Sequence, residues 1–213
     1  SLDPVPFLFR PMSLGYVVSK FSPWLGRMLR VRLPVFGSVR RTSLLDCLPP
    51  ADQLDRLWLA FSIHFAVGRV RDHEFFLNRF SRHPRAVYRY RASYVDGRLV
   101  GLAVYCIELK HGGRIGYLME LMVDPSQEAF VDCLISDVLR DMRDESCDGV
   151  LAWCFEHSPY RRAFLRRGFL PVPERIRPVE LHIGFRTLSD ESGADGLSSR
   201  ANWYISYSDS DTV

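Results

Sequence analysis

Between residues 87 and 123 the chain carries a pattern that few folds accept. Residues 87–95 (VYRYRASYV) partly alternate apolar and polar, Asp96-Gly97 follows, and residues 98–108 (RLVGLAVYCIE) form a more continuously apolar run. Lys110-His111-Gly112-Gly113 then leads into residues 114–123 (RIGYLMELMV). An Asp-Gly pair accepts positive φ at both central turn positions, which matches the twist of two antiparallel strands. The spacing therefore predicts three consecutive antiparallel strands joined by tight turns.

The flanking segments change to helical period. Downstream, Asp124-Pro125-Ser126 closes the third strand, and Phe130, Leu134, Val138 and Met142, widened by Val131 and Ile135, mark one helix face. A buried strand at 149–155 (GVLAWCF) comes next, then an arginine-rich helix at 158–167 stopped by Gly168. Upstream, Leu54, Leu57, Trp58, Phe61 and Phe65 form a helical stripe after Pro49-Pro50. A second helix opens at Asp72, whose carboxylate caps free amides, and ends before Pro84. Strands at 179–186 and 202–207 are expected to flank a Ser/Asp/Gly loop at 188–199. The helix between the third and fourth strands makes a crossover. The fold class is α/β (α+β), a mixed and largely antiparallel central sheet with helices on both faces.

A chain of 213 residues allows one full domain and an appendage. Residues 1–43 are rich in Pro, Arg and aromatics, with an extended start and a stretch at 14–31 interrupted by Pro23 and Gly26. Apolar residues beside Arg27, Arg30 and Arg32 suit either a membrane-surface segment or docking onto a neighbouring domain. Five cysteines without a C-x-x-C pair imply neither a metal knuckle nor a disulfide framework, which fits a cytoplasmic protein. No apolar run is long enough for a transmembrane segment. His64 and His73 are isolated in sequence, so no metal site is expected. Lys20 and Lys110 are the sole lysines among 28 basic residues. Arg79, Arg82, Arg85, Arg89, Arg91 and Arg98 cluster, but no nucleic-acid motif accompanies them, and no nucleic-acid partner is expected.

The order of elements, with Asp96-Gly97-Arg98-Leu99-Val100-Gly101, the strand Tyr117 to Val123 ending in Asp124-Pro125, and Ser158-Pro159-Tyr160-Arg161-Arg162-Ala163-Phe164-Leu165-Arg166-Arg167-Gly168-Phe169, resembles the GNAT superfamily of acyl-coenzyme A N-acyltransferases. The likeness spans residues 44–207. It implies an acyl-CoA N-acyltransferase-like fold and transfer of an acyl group from acetyl-CoA or another acyl-CoA to a small-molecule amine by direct attack. It places the thioester along Leu121, Met122 and Val123, with Glu120 either the general base or a carboxylate facing solvent or an arginine. The amides near Ser126 and Gln127 would receive the pyrophosphate, and Arg161 and Arg162 would lie near the coenzyme's phosphates. Phe164 occupies the position where the family often carries a tyrosine acid, so Tyr160, one turn earlier, either substitutes or packs.

The stretch from Val70-Arg71-Asp72 to His83-Pro84 and the ending Trp203-Tyr204 with Asp209-Ser210-Asp211 are also similar to a bacterial group of tandem GNAT-like proteins. That likeness reads 1–43 as a linker or closing edge of an upstream domain and 44–213 as the GNAT-like domain, with an upstream half or a homodimer as partner. The loop Asp124-Pro125-Ser126-Gln127-Glu128 lacks the family's spaced glycines and puts Glu128 beside the pyrophosphate position. Two alternatives follow: a catalytically degenerate domain serving substrate binding or assembly, and half of a Fem-type aminoacyl-transferase.

Overall fold

A computed structural model of the chain describes residues 7–29, 31–35, 42–84, 86–173, 196–197 and 199–210. The expected meander is present as β3 (Arg89–Val95), β4 (Arg98–Lys110) and β5 (Gly113–Val123), paired antiparallel in sequence order. Both turns have the required handedness: Asp96 and Gly97 lie at φ 48° and 75°, and His111 and Gly112 at 55° and 71°. β3 begins two residues later than the alternation suggests. The helix α5 (Glu128–Asp144) then crosses to β6 (Gly149–Trp153), which pairs parallel with β5. A parallel pair requires such a crossover.

Two N-terminal segments enlarge the sheet. β1 (Phe7–Pro11) lies between β6 and β7 (Leu170–Pro171), antiparallel to both, and β2 (Ser43–Leu45) pairs with β3 at the far edge. The order is β2-β3-β4-β5-β6-β1-β7. Phe7–Pro11, expected at the edge of a preceding domain, is thus a strand of the same sheet as the rest of the chain. Arg10 fastens it further by donating to the Arg167 carbonyl at the end of α6 (Arg161–Arg166) and to the Pro34 carbonyl at 2.9 Å.

Helices cover both faces. Tyr105 Oη donates to Asp141 at 2.6 Å, so one face of β4 meets α5. By alternation its neighbours Val104 and Cys106 face the opposite side, where α3 (Ala51–Ser62) buries Leu54, Leu57 and Phe61. α4 (His73–Phe76) is capped by Asp72, which accepts from the Phe75 amide at 2.9 Å, and continues as a π-helical turn, Leu77–Ser81. α1 (Leu14–Ser19) and α2 (Pro23–Met28) form a short hairpin at the other end of the sheet. Pro23 opens α2 rather than breaking a longer helix, as its missing N–H allows.

Two expectations change, and a third falls on residues that are not described. The helix expected at 158–167 is shorter, Arg161–Arg166, because residues 158–161 form a separate turn in which the Arg161 amide donates to the Ser158 carbonyl at 3.0 Å. The strand expected at 202–207 is an extended run with one isolated bridge, Trp203 to Val67, between 3-10 turns at Arg200–Asn202 and Tyr207–Asp209. The strand expected at 179–186 lies outside the described residues.

A polar seam holds the sheet edge to α5. Arg91 donates to both oxygens of Asp141, at 2.7 and 2.5 Å, and to the Thr42 carbonyl, while Thr42 donates through its amide and hydroxyl to Asp137. Removing one partner leaves a largely buried arginine unpaired. Asp141→Ala should therefore lower the unfolding free energy by about 3 kcal/mol, read from urea titration.

Candidate functional site

The site arises where β5 and β6 part. Their pairing covers Ile115 with Gly149, Gly116 with Val150 and Tyr117 with Leu151, and goes no further. The cause lies in β5: Tyr105 is opposite Leu118 but Val104 is opposite Glu120, so Met119 is an extra residue. Such a bulge bends its strand. Beyond it Leu118–Val123 diverges from β6, leaving a wedge open toward the C-terminal ends of both strands.

Side chains of this chain fill the wedge. Tyr160 Oη accepts from the Val123 amide at 3.3 Å and donates to the Val123 carbonyl. Tyr204 Oη lies 3.0 Å from the Leu121 carbonyl and donates to Glu120 at 2.5 Å, and the Leu121 amide is held by Glu120 Oε1 at 3.0 Å. The space left among these groups is about 10 Å³. Phe61 stacks on Tyr160 and meets Tyr204 edge-on, closing the wedge from α3.

Glu120 is the centre of this packing. It is 1% exposed and accepts on Oε2 from Arg71 Nε at 2.6 Å, Ser206 Oγ at 2.8 Å and Ser208 Oγ at 2.6 Å. Arg71, with no exposed surface, also donates to Asp209 at 2.5 Å and to the Arg69 carbonyl at 2.6 Å. Burial alone would raise the Glu120 carboxyl, but Arg71 and the hydroxyls of Ser208 and Tyr204 outweigh it and hold it below 4.5. Burial and the Glu120 charge instead raise Asp209 above its ordinary 3.8, against the pull of Arg71. Of the two readings open for Glu120, the structure shows the arginine partner. With its oxygens occupied and its proton affinity depressed, it is correctly set up to anchor Arg71 and poorly set up to take a proton. Tyr160 is likewise committed to Val123, and burial pushes its hydroxyl well above the ordinary tyrosine value.

The loop after β5 is also internally satisfied. The Ser126 amide and hydroxyl donate to Asp124 Oδ1 at 2.8 and 2.7 Å, and the Gln127 amide donates to the Asp124 carbonyl at 2.9 Å. These are the amides the family resemblance assigns to a phosphate, and Asp124 already takes them. Ser126 and Gln127 therefore do not offer a free anion cradle. Glu128, at the first turn of α5, pairs with Arg166 at 3.2 Å.

What remains open lies at the mouth of the wedge. A cavity of about 270 Å³ is walled by Phe61, Phe65, Phe155 and Tyr204, with His64 and His157 at its rim. His64 Nε2 sits 3.4 Å from Asp124 Oδ1, whose hydrogen bond from Ser126 keeps the carboxyl below its ordinary value. An adjoining cleft of about 620 Å³ is lined by Arg161, Arg162 and Arg166 together with Glu128 and Glu156. Arg161 is 4.0 Å from Glu156, whereas Arg162 has no ion-pair partner among the described residues. The His64–Asp124 pair eluded the sequence because it joins the end of α3 to the end of β5. Among the described residues no cluster of three metal-ligating side chains occurs, and no helix is long and apolar enough to cross a membrane.

No family model and no curated protein matches the chain. One solved structure similar to it is a functionally unknown conserved protein from Staphylococcus epidermidis ATCC 12228, 12% identical, with a TM-score of 0.47 over 80% of this chain. The chain spans 58% of that protein's length.

The acid response of the site follows from Glu120. Its folded value lies below 4.5, so its stabilisation is complete above that pH and is lost as pH falls through the depressed value. Asp209 works in the opposite sense, since protonation at its raised value relieves a buried charge. Glu120→Gln should cost about 3 kcal/mol at neutral pH and should flatten the loss of stability below pH 4.5, both read from denaturant titrations across pH.

Proposed function

We propose that this chain is an acyl-CoA N-acyltransferase-like domain whose wedge is closed by its own side chains, and that it serves ligand binding or assembly rather than coenzyme-dependent acyl transfer. The observation that carries this reading is the Tyr160 hydroxyl seated on both the amide and the carbonyl of Val123. A pantetheine arm held in such a wedge needs those strand groups and the volume around them, and about 10 Å³ is left. The residues present do not fit acyl-CoA there, and no reaction step is drawn through it. The amides of Ser126 and Gln127 add to the disagreement, as does the carboxylate of Glu128 beside them. A partner, either an upstream half or a second copy, would then supply the catalytic groups, while the aromatic cavity and the arginine cleft contribute binding surface.

One observation favours the second reading, an active N-acyltransferase. The His64–Asp124 pair beside the aromatic cavity has the make-up of an oriented general base, with Asp124 fixed by Ser126 and the imidazole at the rim. In that case the acyl group and the amine would meet at the mouth, where Arg161 and Arg162 are within reach of an anionic portion of the donor.

Calorimetric titration with acetyl-CoA separates the two. The proposal expects no saturable heat and no thermal shift at millimolar ligand. Saturable binding that is lost in the Arg161→Ala/Arg162→Ala variant would overturn it in favour of the transferase.

A further inference from the structure

The end of the sheet remote from the wedge carries a different surface. α1 and α2 pack backbone to backbone: a Cβ on Gly15 would lie 2.0 Å from the Leu29 carbonyl oxygen, and one on Gly26 would lie 2.6 Å from Ser19 Cα. The hairpin is fastened to the body by carbonyl contacts. Leu14 and Leu33 amides donate to Val31 and Met12, Lys20 Nζ donates to the His111 carbonyl at 2.6 Å, and Arg32 donates to the Cys147 and Ser146 carbonyls. Yet none of the residues of α2 is buried. Phe21 is 87% exposed, Trp24 67% and Met28 66%, with Leu25 and Val31 also exposed beside them. Large aromatic and aliphatic side chains are thus presented outward on a fixed support.

The stretch of sequence that carries them has charges of one sign. No aspartate or glutamate occurs between Asp3 and Asp46, while Arg10, Lys20, Arg27, Arg30, Arg32, Arg40 and Arg41 fall in that interval. Arg27 is exposed and has no ion-pair partner among the described residues, and Lys20 and Arg32 face carbonyls rather than carboxylates. One acid, Asp148, shares a recess of about 520 Å³ with Arg27 and Arg32 and accepts from the Arg114 amide at 3.0 Å. An apolar tip flanked by Lys20, Arg27 and Arg32, none of which has an ion-pair partner among the described residues, matches a surface that offers hydrocarbon beneath a layer of negative charge. Tryptophan and phenylalanine favour that boundary.

We propose that the α1–α2 hairpin docks this protein onto an anionic lipid bilayer, with Phe21, Trp24, Leu25 and Met28 entering the headgroup boundary and Lys20, Arg27 and Arg32 facing acidic headgroups. The docking is peripheral and reversible, because one short apolar tip supplies limited buried area.

Vesicle flotation of the whole chain tests it. The chain should float with equimolar phosphatidylcholine–phosphatidylglycerol vesicles, stay behind with pure phosphatidylcholine, and come off as salt rises. Phe21→Ser with Trp24→Ser should abolish flotation, and Arg27→Glu should weaken it roughly tenfold. These side chains are exposed, so circular dichroism should show an unchanged fold. Vesicles should also shift the tryptophan emission to the blue, and Trp24→Phe should remove that shift. Failure to float with the anionic vesicles, or flotation indifferent to the Phe21 and Trp24 changes, overturns the proposal. So does a dimer in light scattering that those same changes dissolve, since a second copy would then be what covers the hairpin.

Discussion

A guanidinium with no exposed surface dictates much of this structure. Withdrawing Arg71 from water costs several kcal/mol unless its donors are matched by acceptors of opposite charge. Here the match comes from two carboxylates far apart in sequence, Glu120 in the middle of β5 and Asp209 near the end of the chain. Together they hold the guanidinium well above its ordinary value against the effect of burial. To deliver Asp209, the segment 203–210 must cross the open end of the sheet. In doing so it lays Tyr204 against Phe61 and Phe65 and sets Ser206 and Ser208 on Glu120. The segment that brings Asp209 to Arg71 therefore also brings Tyr204 into the wedge, beside Tyr160 at the start of α6.

The loop at Asp124 shows the same self-sufficiency on a smaller scale. Amides at the start of a helix attract anions, and a nearby carboxylate can serve as well as a phosphate. Asp124 sits one residue past β5 and takes the Ser126 amide through its side chain and the Gln127 amide through its carbonyl. A glycine-rich loop is needed when the anion arrives from outside and must approach the backbone closely. When the anion is part of the loop, ordinary side chains suffice, and Ser126 and Gln127 are ordinary residues whose amides Asp124 takes.

The meander, both turns, the crossover helix and the Gly168 stop were legible in the sequence because each is a local pattern with a local cause. The tail was half legible. Tyr204 and Ser206 stand two residues apart in extended chain, which points them one way, and Ser208 follows on a 3-10 turn; the partner of all three is the Glu120 side chain on β5 rather than a neighbouring strand's backbone. The strand expected at 202–207 is thus extended chain held by side-chain bonds. Glu120 was singled out as a carboxylate on the right strand, and its partner Arg71 could not be, since nothing in Val70-Arg71-Asp72 announces burial. The His64–Asp124 pair and the place of β1 within the sheet depend on contacts between distant segments, which residue periodicity does not encode.

That placement of β1 bears on how the chain acquires its shape. Arg10 reaches the carbonyl of Arg167, a residue 157 positions further along, and the flanking strands β6 and β7 are likewise made near the end of the chain. Contacts of such separation slow folding, because the loop must close before they contribute. During synthesis the first strand emerges early and waits, unpaired, while the meander and crossover assemble. The sheet closes around it only when residues 149–171 become available. Phe7–Pro11 is thus among the last strands to pair, and the rate of that insertion sets how long two strand edges stand open to other chains.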